Sequence, residues 1–323
     1  KAMMEAEVGD DVFNEDPTIN RLQDMAAEIF NKEAAIYVPS GTMANELAIK
    51  VHTSPGDEVI TDHLSHIVNF ETGAPGFLSG VNLVPLTGKN GILNAEQVEK
   101  AIRPEAIQFA RTGLISLENT HNYGGGSVYP IEKIKNITKI AQRKKVNTHL
   151  DGARIFNAVV ATGVGPDNYA EHFDSITFCL SKGLGAPVGS VLMGTKTFID
   201  EARRYRKIFG GGMRQAGILA AAGIYCLENN INRLAEDHEN AKLLAKAFDE
   251  TKTFSIDIDT VETNIIIVNI EDKNLTPADA SARLNDTGIL VFPFGPNNIR
   301  AVTHLDVCRS DIIQACERIR KYF

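Results

Sequence analysis

No stretch of this 323-residue chain is apolar for long enough to span a membrane, because charges or glycines interrupt every candidate. Positive charge is not in surplus either. The formal net charge is −8, and no basic stripe interleaves with aromatics, which argues against a nucleic-acid partner. The cysteines at 179, 226, 308 and 316 include no CxxC pair. Cys179 and Cys226 sit in apolar runs and read as buried free thiols in a reducing, cytoplasmic setting. No secretory signal, repeat or low-complexity linker is visible. A Walker lysine and a GxGxxG pattern are also missing, and the glycine triplets at 124–126 and 210–212 do not supply them. The chain opens Lys-Ala-Met-Met in a helix-like pattern without an initiator methionine at position 1, so its natural start is expected upstream.

What is present suffices for a large core. The hydrophobic fraction is 43%, ordinary for a globular chain. From about residue 34 to 194, short apolar strands alternate with helical patterns, the signature of an α/β fold with a parallel sheet. The expected strands are Ala35–Val38, Glu58–Thr61, Asn82–Leu86, Gly113–Leu117, Val146–Leu150, Ile176–Leu180 and Ser190–Met193. Helices are expected at Thr42–Val51, Ala95–Ile102 with Asn94 as N-cap, and Ile131–Arg143 after Pro130. Residues 196–250 read as mostly helical. Beyond Thr251 the pattern changes to strands near 254–259, 264–270, 289–292 and 299–303 and helices near 277–286 and 310–322. This predicts a large domain over 1–250 and a smaller α+β domain over 251–323.

Four chemical features follow in chain order. In Pro39-Ser-Gly-Thr-Met-Ala-Asn45 a strand runs into a helix start. Free N–H groups, the helix dipole and two hydroxyls, from Ser40 and Thr42 around Gly41, converge there on a point suited to a phosphate; the plainer reading is an ordinary N-cap. His63 and His66 follow a strand end, where ligand sites of α/β folds cluster. An imidazole there can stack on a flat cofactor or move protons near neutral pH, or simply cap a turn.

Asp151 stands just past a buried strand, where a carboxylate can keep a ring nitrogen protonated. Arg154, three residues on, can grip a carboxylate with two hydrogen bonds, or pair with Asp151 structurally. Lys182 leaves the apolar run Ile176–Leu180 among glycines at 183, 185 and 189, as suits a Schiff-base lysine, although most such lysines are solvated loop residues. Asp151 and Lys182 each follow a strand, 31 residues apart, so the two strand ends can lie side by side. A phosphate cradle, a ring-stacking histidine, an aspartate for a pyridinium nitrogen and a Schiff-base lysine together describe pyridoxal 5′-phosphate.

At this point the sequence resembles the low-specificity L-threonine aldolases, which are aspartate-aminotransferase-like (fold-type I) pyridoxal phosphate enzymes. The motifs run nearly end to end: VGDDVFNEDPTINRL (8–22), PSGTMAN (39–45), SHIVNFETG (65–73), ENTHNYGGG (118–126), HLDGARIFNA (149–158), CLSKGLGAPVGS (179–190), RKIFGGGMRQAG (206–217) and RAVTHLD (300–306). The resemblance implies a fold-type I large domain with a mostly parallel seven-stranded sheet and a smaller C-terminal α+β domain. It implies cleavage of L-threonine or L-allo-threonine to glycine and acetaldehyde. Lys182 would bear the Schiff base, Asp151 would hold the pyridine nitrogen and His66 would stack on the ring. Gly41 and Thr42 would hold the phosphate, helped by Arg206, Lys207 or Arg214. Arg154 and Arg300 would grip the substrate carboxylate, and His121 would lie near the β-hydroxyl. His66, His121 and an ordered water stay open as the base, and His63 has no family role. The resemblance also implies a homotetramer, or at least a dimer, with shared active sites.

The chain departs from the family in two places. The usual Thr-Val-Thr-like opening segment would precede Lys1, and Phe13-Asn14 stands where Tyr-Gly is common. Three other readings stay open: another fold-type I lyase or aminotransferase, separated by its products; a zinc hydrolase on His63, His66, His149 and Asp151, separated by metal dependence; and a non-catalytic cofactor binder.

Overall fold

The computed structural model describes residues 1–323. The first part of the chain runs through α1 (Pro17–Ile29), β1 (Ala34–Val38), α2 (Gly41–His52), β2 (Glu58–Asp62), the one-turn α3 (His66–Asn69), β3 (Asn82–Leu86), α4 (Ala95–Ala101), β4 (Thr112–Glu118) and α5 (Ile131–Lys144). It continues through β5 (Asn147–Asp151), α6 (Ile155–Thr162), α7 (Pro166–Ala170), β6 (Ser175–Cys179), β7 (Ser190–Gly194), α8 (Lys196–Ile208) and α9 (Gly217–Asn229). The strands form one seven-stranded sheet in the order β1-β7-β6-β5-β4-β2-β3. Neighbours from β3 to β6 are parallel, and β7 runs antiparallel to both β6 and β1. All seven expected strands are present, their ends moved by at most one residue.

Local chemistry sets the helix starts. Asp16 caps α1 by accepting from Thr18 and Ile19 N–H, with Pro17 at the first helical position. Ser40 caps α2 through Met43 N–H, and Asn94 with Gln97 forms a capping box on α4. Each such cap stabilises its helix by about 1 kcal/mol.

β4, β6 and β7 are buried along their whole length, as expected of a sheet covered on both faces. On one side α2 and α8 pack through Leu47 and Phe198 against Ile36, Val38 and Leu192. Elsewhere Phe30, Phe156 and Phe178 meet ring to ring at 5.3–5.6 Å. The exception to this apolar character is β5, which reads Asn-Thr-His-Leu-Asp and yet is buried from Thr148 onward. Its pairing places Glu118 opposite Asp151, so the strand ends one residue later than expected and includes the aspartate.

Two motifs of the resemblance bind each other. Asp11 accepts from buried Arg206 at 2.6 Å, Asp10 from Arg214 Nε at 2.7 Å, and Asp16 from Gly217 N–H at 2.8 Å. Asn14 takes φ 59°, a left-handed conformation that asparagine tolerates, so the backbone a glycine would adopt is kept.

A second compact unit comprises residues 125–128 and 232–323. It contains α10 (Leu234–Asp249), β8 (Phe254–Ser255), β9 (Ile265–Ile270), α11 (Pro277–Asp286), β10 (Phe292–Phe294), β11 (Asn298–Val302) and α12 (Arg309–Tyr322). Its four strands form an antiparallel sheet in the order β10-β11-β9-β8. The division falls at 231/232 rather than at 250/251, because Ala241, Leu244 and Phe248 of α10 join the core of Ile266, Val268, Ile299 and Ile319. Cys179, Cys226 and Cys316 are buried free thiols and Cys308 is exposed. No helix is long and apolar enough to cross a membrane.

Candidate active site

The C-terminal ends of β2, β4, β5 and β6 deliver Asp62, Glu118, Asp151 and, three residues past Cys179, Lys182 to one edge of the sheet. This is the edge where α/β folds bind ligands. β5 and β6 are parallel neighbours with Asp151 opposite Thr177, so the two strand ends do lie side by side. Burial favours the neutral form of Asp151, yet the charges of Lys182 and His66 and the amide of Asn45 outweigh it and hold the carboxyl below its ordinary value.

A one-way hydrogen-bond chain fixes that carboxylate from behind. Asn45 Nδ2 donates to Asp151 Oδ2 and to Glu71 Oε1, each at 2.8 Å. Carboxylates only accept, so Asn45 Oδ1 faces the other way and receives His149 Nε2–H at 3.2 Å. His149 Nδ1 must then accept from Ser175 Oγ at 2.9 Å, and Ser175 accepts from His52 Nε2–H at 2.8 Å. Burial pushes the pKa of His149 down to about 3 and that of His52 to about 4, so both rings stay neutral. With both His149 nitrogens committed, the expected alternative of a zinc site on His63, His66, His149 and Asp151 has no ligand to take from it.

His66 opens α3. Its N–H donates to Glu118 Oε2 at 2.7 Å, and its Nδ1 lies 2.8 Å from Glu71 Oε1. The reactive atoms of His66, Glu71 and Asp151 all lie within 4.8 Å of one another. Burial disfavours the His66 cation, but Glu71 and Asp151 more than offset this and raise its pKa above 6.5. Behind Glu71 sits Glu46, 1% exposed. Burial and the Glu71 charge push its pKa up to about 9.

His121 is 1% exposed. Its Nδ1 accepts Gly124 N–H at 3.1 Å and its Nε2 lies 3.4 Å from Asp62 Oδ1. Burial opposes its cation, while Glu118 and Asp62 raise its proton affinity. The Gly124 contact needs a lone pair at Nδ1, which marks the Nε2–H tautomer. His63 stays outside this group, 3.5 Å from Asp62 Oδ2 and half-exposed.

At the start of α2, Ser40 is the N-cap, and the first-turn N–H groups of Gly41 and Thr42 have no intrahelical carbonyl to reach. A Cβ at Gly41 would come within 2.8 Å of Cys179 Sγ, so this turn abuts the end of β6. Arg154 caps α6 with its Nε buried and without a hydrogen-bond partner, and its Nη1 is 3.5 Å from Asn122 Oδ1. Of the three cations expected to help at the phosphate, Arg206 is committed to Tyr37 O and Asp11, both at 2.6 Å. Lys207 is exposed on the last turn of α8 and Arg214 pairs with Asp10. Arg300 lies on β11 in the second unit.

The sequence reading missed Asn45, Glu46, Glu71, Glu118 and Asp62 as site residues. Asn45, Glu71 and Glu118 lay within quoted motifs without a role.

The residues fit pyridoxal 5′-phosphate: an anion-ready helix turn, a buried carboxylate held ionised, a lysine on the adjacent strand end and an orphaned guanidinium nitrogen. Fold and site define a fold-type I pyridoxal-phosphate enzyme. A family model described as "Beta-eliminating lyase" matches residues 1–272. The low specificity L-threonine aldolase of Escherichia coli is 43% identical over 323 residues, covering 100% of this chain and 94% of that protein. Low-specificity L-threonine aldolase 1 of Arabidopsis thaliana is 43% identical over 319 residues, covering 97% and 88%. The solved threonine aldolase of Leishmania major superposes with a TM-score of 0.82 at 18% identity, covering 98% of this chain and 92% of that one, which shows the fold. The chain belongs to the low-specificity L-threonine aldolase family of the β-eliminating lyases.

Proposed function

We propose that the protein cleaves the Cα–Cβ bond of L-threonine and L-allo-threonine to release glycine and acetaldehyde. The observation that carries this reading is the buried, amide-fixed Asp151 beside Lys182 on adjacent strand ends, in a chain 43% identical along its whole length to a low specificity L-threonine aldolase. Ser40, Gly41 and Thr42 would take the cofactor phosphate, with Lys207 and Arg214 adding positive charge. Asp151 would hold the ring nitrogen, His66 would lie against the ring and Lys182 would carry the covalent link. Bound pyridoxal phosphate supplies an electron sink for the pair left at Cα when the bond to Cβ breaks.

The chain's own residues choose the bond and move the protons. Arg154 would grip the substrate carboxylate, each charged hydrogen bond contributing about 1.5–3 kcal/mol, and this grip would select which bond at Cα is aligned for cleavage. His66 Nε2 accepts the β-hydroxyl proton, directly or through one water. Its Nδ1 is taken by Glu71, and its raised pKa makes it a stronger base than a free imidazole. His121 Nδ1 receives Gly124 N–H and its protonated Nε2 faces Asp62 Oδ1 at 3.4 Å, so His121 has no free lone pair and would contribute a wall beside the β-carbon rather than the base.

The assembly we infer is a homotetramer in a cytoplasmic setting. The exposed apolar side chains Met4, Phe77 and Ile208, the last beside Lys207, support association; the free thiols support a reducing compartment. The test is acetaldehyde release from both epimers, with and without added pyridoxal phosphate, read through coupled NADH oxidation. Cofactor-dependent release is expected. Ammonia and a keto acid instead of glycine and aldehyde would overturn the assignment in favour of β-elimination.

A further inference from the structure

One buried carboxyl near the site has no part in the reading above. Glu46 is 1% exposed on α2, between Asn45 and Leu47. Neither of its oxygens has a hydrogen-bond donor, and Glu71 Oε2 has none either. The carboxyls of Glu46 and Glu71 are in hydrogen-bonding contact, and Glu71 is the one charged group acting on Glu46. Two buried carboxyls in contact do not both ionise, so the pair holds a proton. Its place follows from the neighbours. Glu71 Oε1 already receives Asn45 Nδ2 and His66 Nδ1, each at 2.8 Å, whereas Glu46 receives nothing. The charge therefore belongs on Glu71 and the proton on Glu46.

We propose that Glu46 is a positioning residue: a neutral carboxylic acid at working pH whose O–H donates to Glu71 Oε2, keeping Glu71 an anion that pins His66 Nδ1–H and leaves His66 Nε2 for the substrate. With this donor Glu71 accepts from three groups, and a fully buried carboxylate is satisfied without a cation in contact with both its oxygens. His66 then feels the charges of Glu71 and Asp151, which favour its cation, and that of Lys182, which opposes it. The assignment deepens the aldolase reading only in what Nε2 is for; the proton's place stands apart from it.

The test uses the full-length protein loaded with pyridoxal phosphate and two readouts that need no turnover. Infrared spectroscopy at neutral pH should show the carbonyl stretch of a protonated carboxylic acid, shifted in heavy water and lost in Glu46→Gln. The His66 pKa, followed by 15N imidazole resonances assigned against His66→Asn, should stay within a few tenths of a unit in Glu46→Gln, whose amide replaces the O–H donor. In Glu46→Leu it should rise by roughly one unit, because Glu71 loses a donor and binds the imidazolium more strongly. A carboxylic-acid band that persists in Glu46→Gln overturns the proposal, as does a His66 shift as large in the glutamine variant as in the leucine variant. If Glu46→Leu does not fold, the band and the glutamine variant still decide. Failure of the aldolase reaction would leave both readouts intact.

Discussion

Asn45 donates to the Asp151 carboxylate at 2.8 Å while its other amide hydrogen reaches Glu71 at the same distance. Asn45→Ala would leave three buried groups short of a partner: Asp151, Glu71 and His149 Nε2–H. Each unpaired group costs about 1–3 kcal/mol, so urea denaturation should show a clear loss of stability. Asn45→Asp places a third carboxylate in the cluster and should lower kcat/KM further than the alanine variant does, by at least tenfold. Equal activity in the two would mean that the amide acts on packing alone.

Lys182→Ala should abolish the protein-linked visible band of the bound cofactor and with it turnover. Asp151→Ala should retain the band but cut kcat severely, with melting temperature less affected. Near-normal turnover in the second variant would contradict the role given to Asp151.

Arg154→Lys keeps a positive charge but loses the planar fork that matches a carboxylate. The expected cost is one charged hydrogen bond, about 1.5–3 kcal/mol or roughly 10–100-fold in kcat/KM. If Arg154 binds substrate in the ground state, the loss falls on KM; a change in kcat alone would place its action in the transition state.

The pH dependence has a definite sign. His66 must be unprotonated at Nε2 to take a proton, so kcat/KM should rise with pH through a pKa above 6.5. A group whose native pKa is raised contributes stability below its unfolded value, and that stability is lost as pH rises through the native one. Glu71→Gln removes the anion that raises His66, and its acid limb should move to lower pH. An unmoved limb in this variant would assign the titration to another group.

Asp11→Asn would leave the Arg206 guanidinium, 3% exposed, with its counter-ion gone. Breaking such a buried pair costs about 3–5 kcal/mol, and chemical denaturation should register it as a lower midpoint.

The sequence made some of this legible and hid the rest for physical reasons. Lys182, Asp151 and the Ser40-Gly41-Thr42 turn stand at strand ends, where the change from apolar run to glycine and polar residues is visible in one dimension. Asn45 and Glu46 sit mid-helix, where Asn-Glu reads as a solvated face. Here α2 lies against the sheet so closely that residues 44–49 are all buried, and no local spacing announces that. Glu71 follows a one-turn helix and reaches His66 only by its fold. The boundary at 231/232 was hidden because α10 carries the same helical pattern as α8 and α9; only the core it joins assigns it.

The hydrogen-bond chain from His52 through Ser175, His149 and Asn45 to Asp151 has one further meaning. The donor and acceptor roles along it are all fixed, so the Asn45 amide at its end cannot rotate without unpairing a buried link. The entropy of ordering Asp151 is thus settled when the chain folds rather than when the cofactor arrives. An incoming pyridine ring meets a fixed negative charge instead of a mobile one, and its capture should be governed by diffusion and phosphate docking rather than by any rearrangement of the pocket floor.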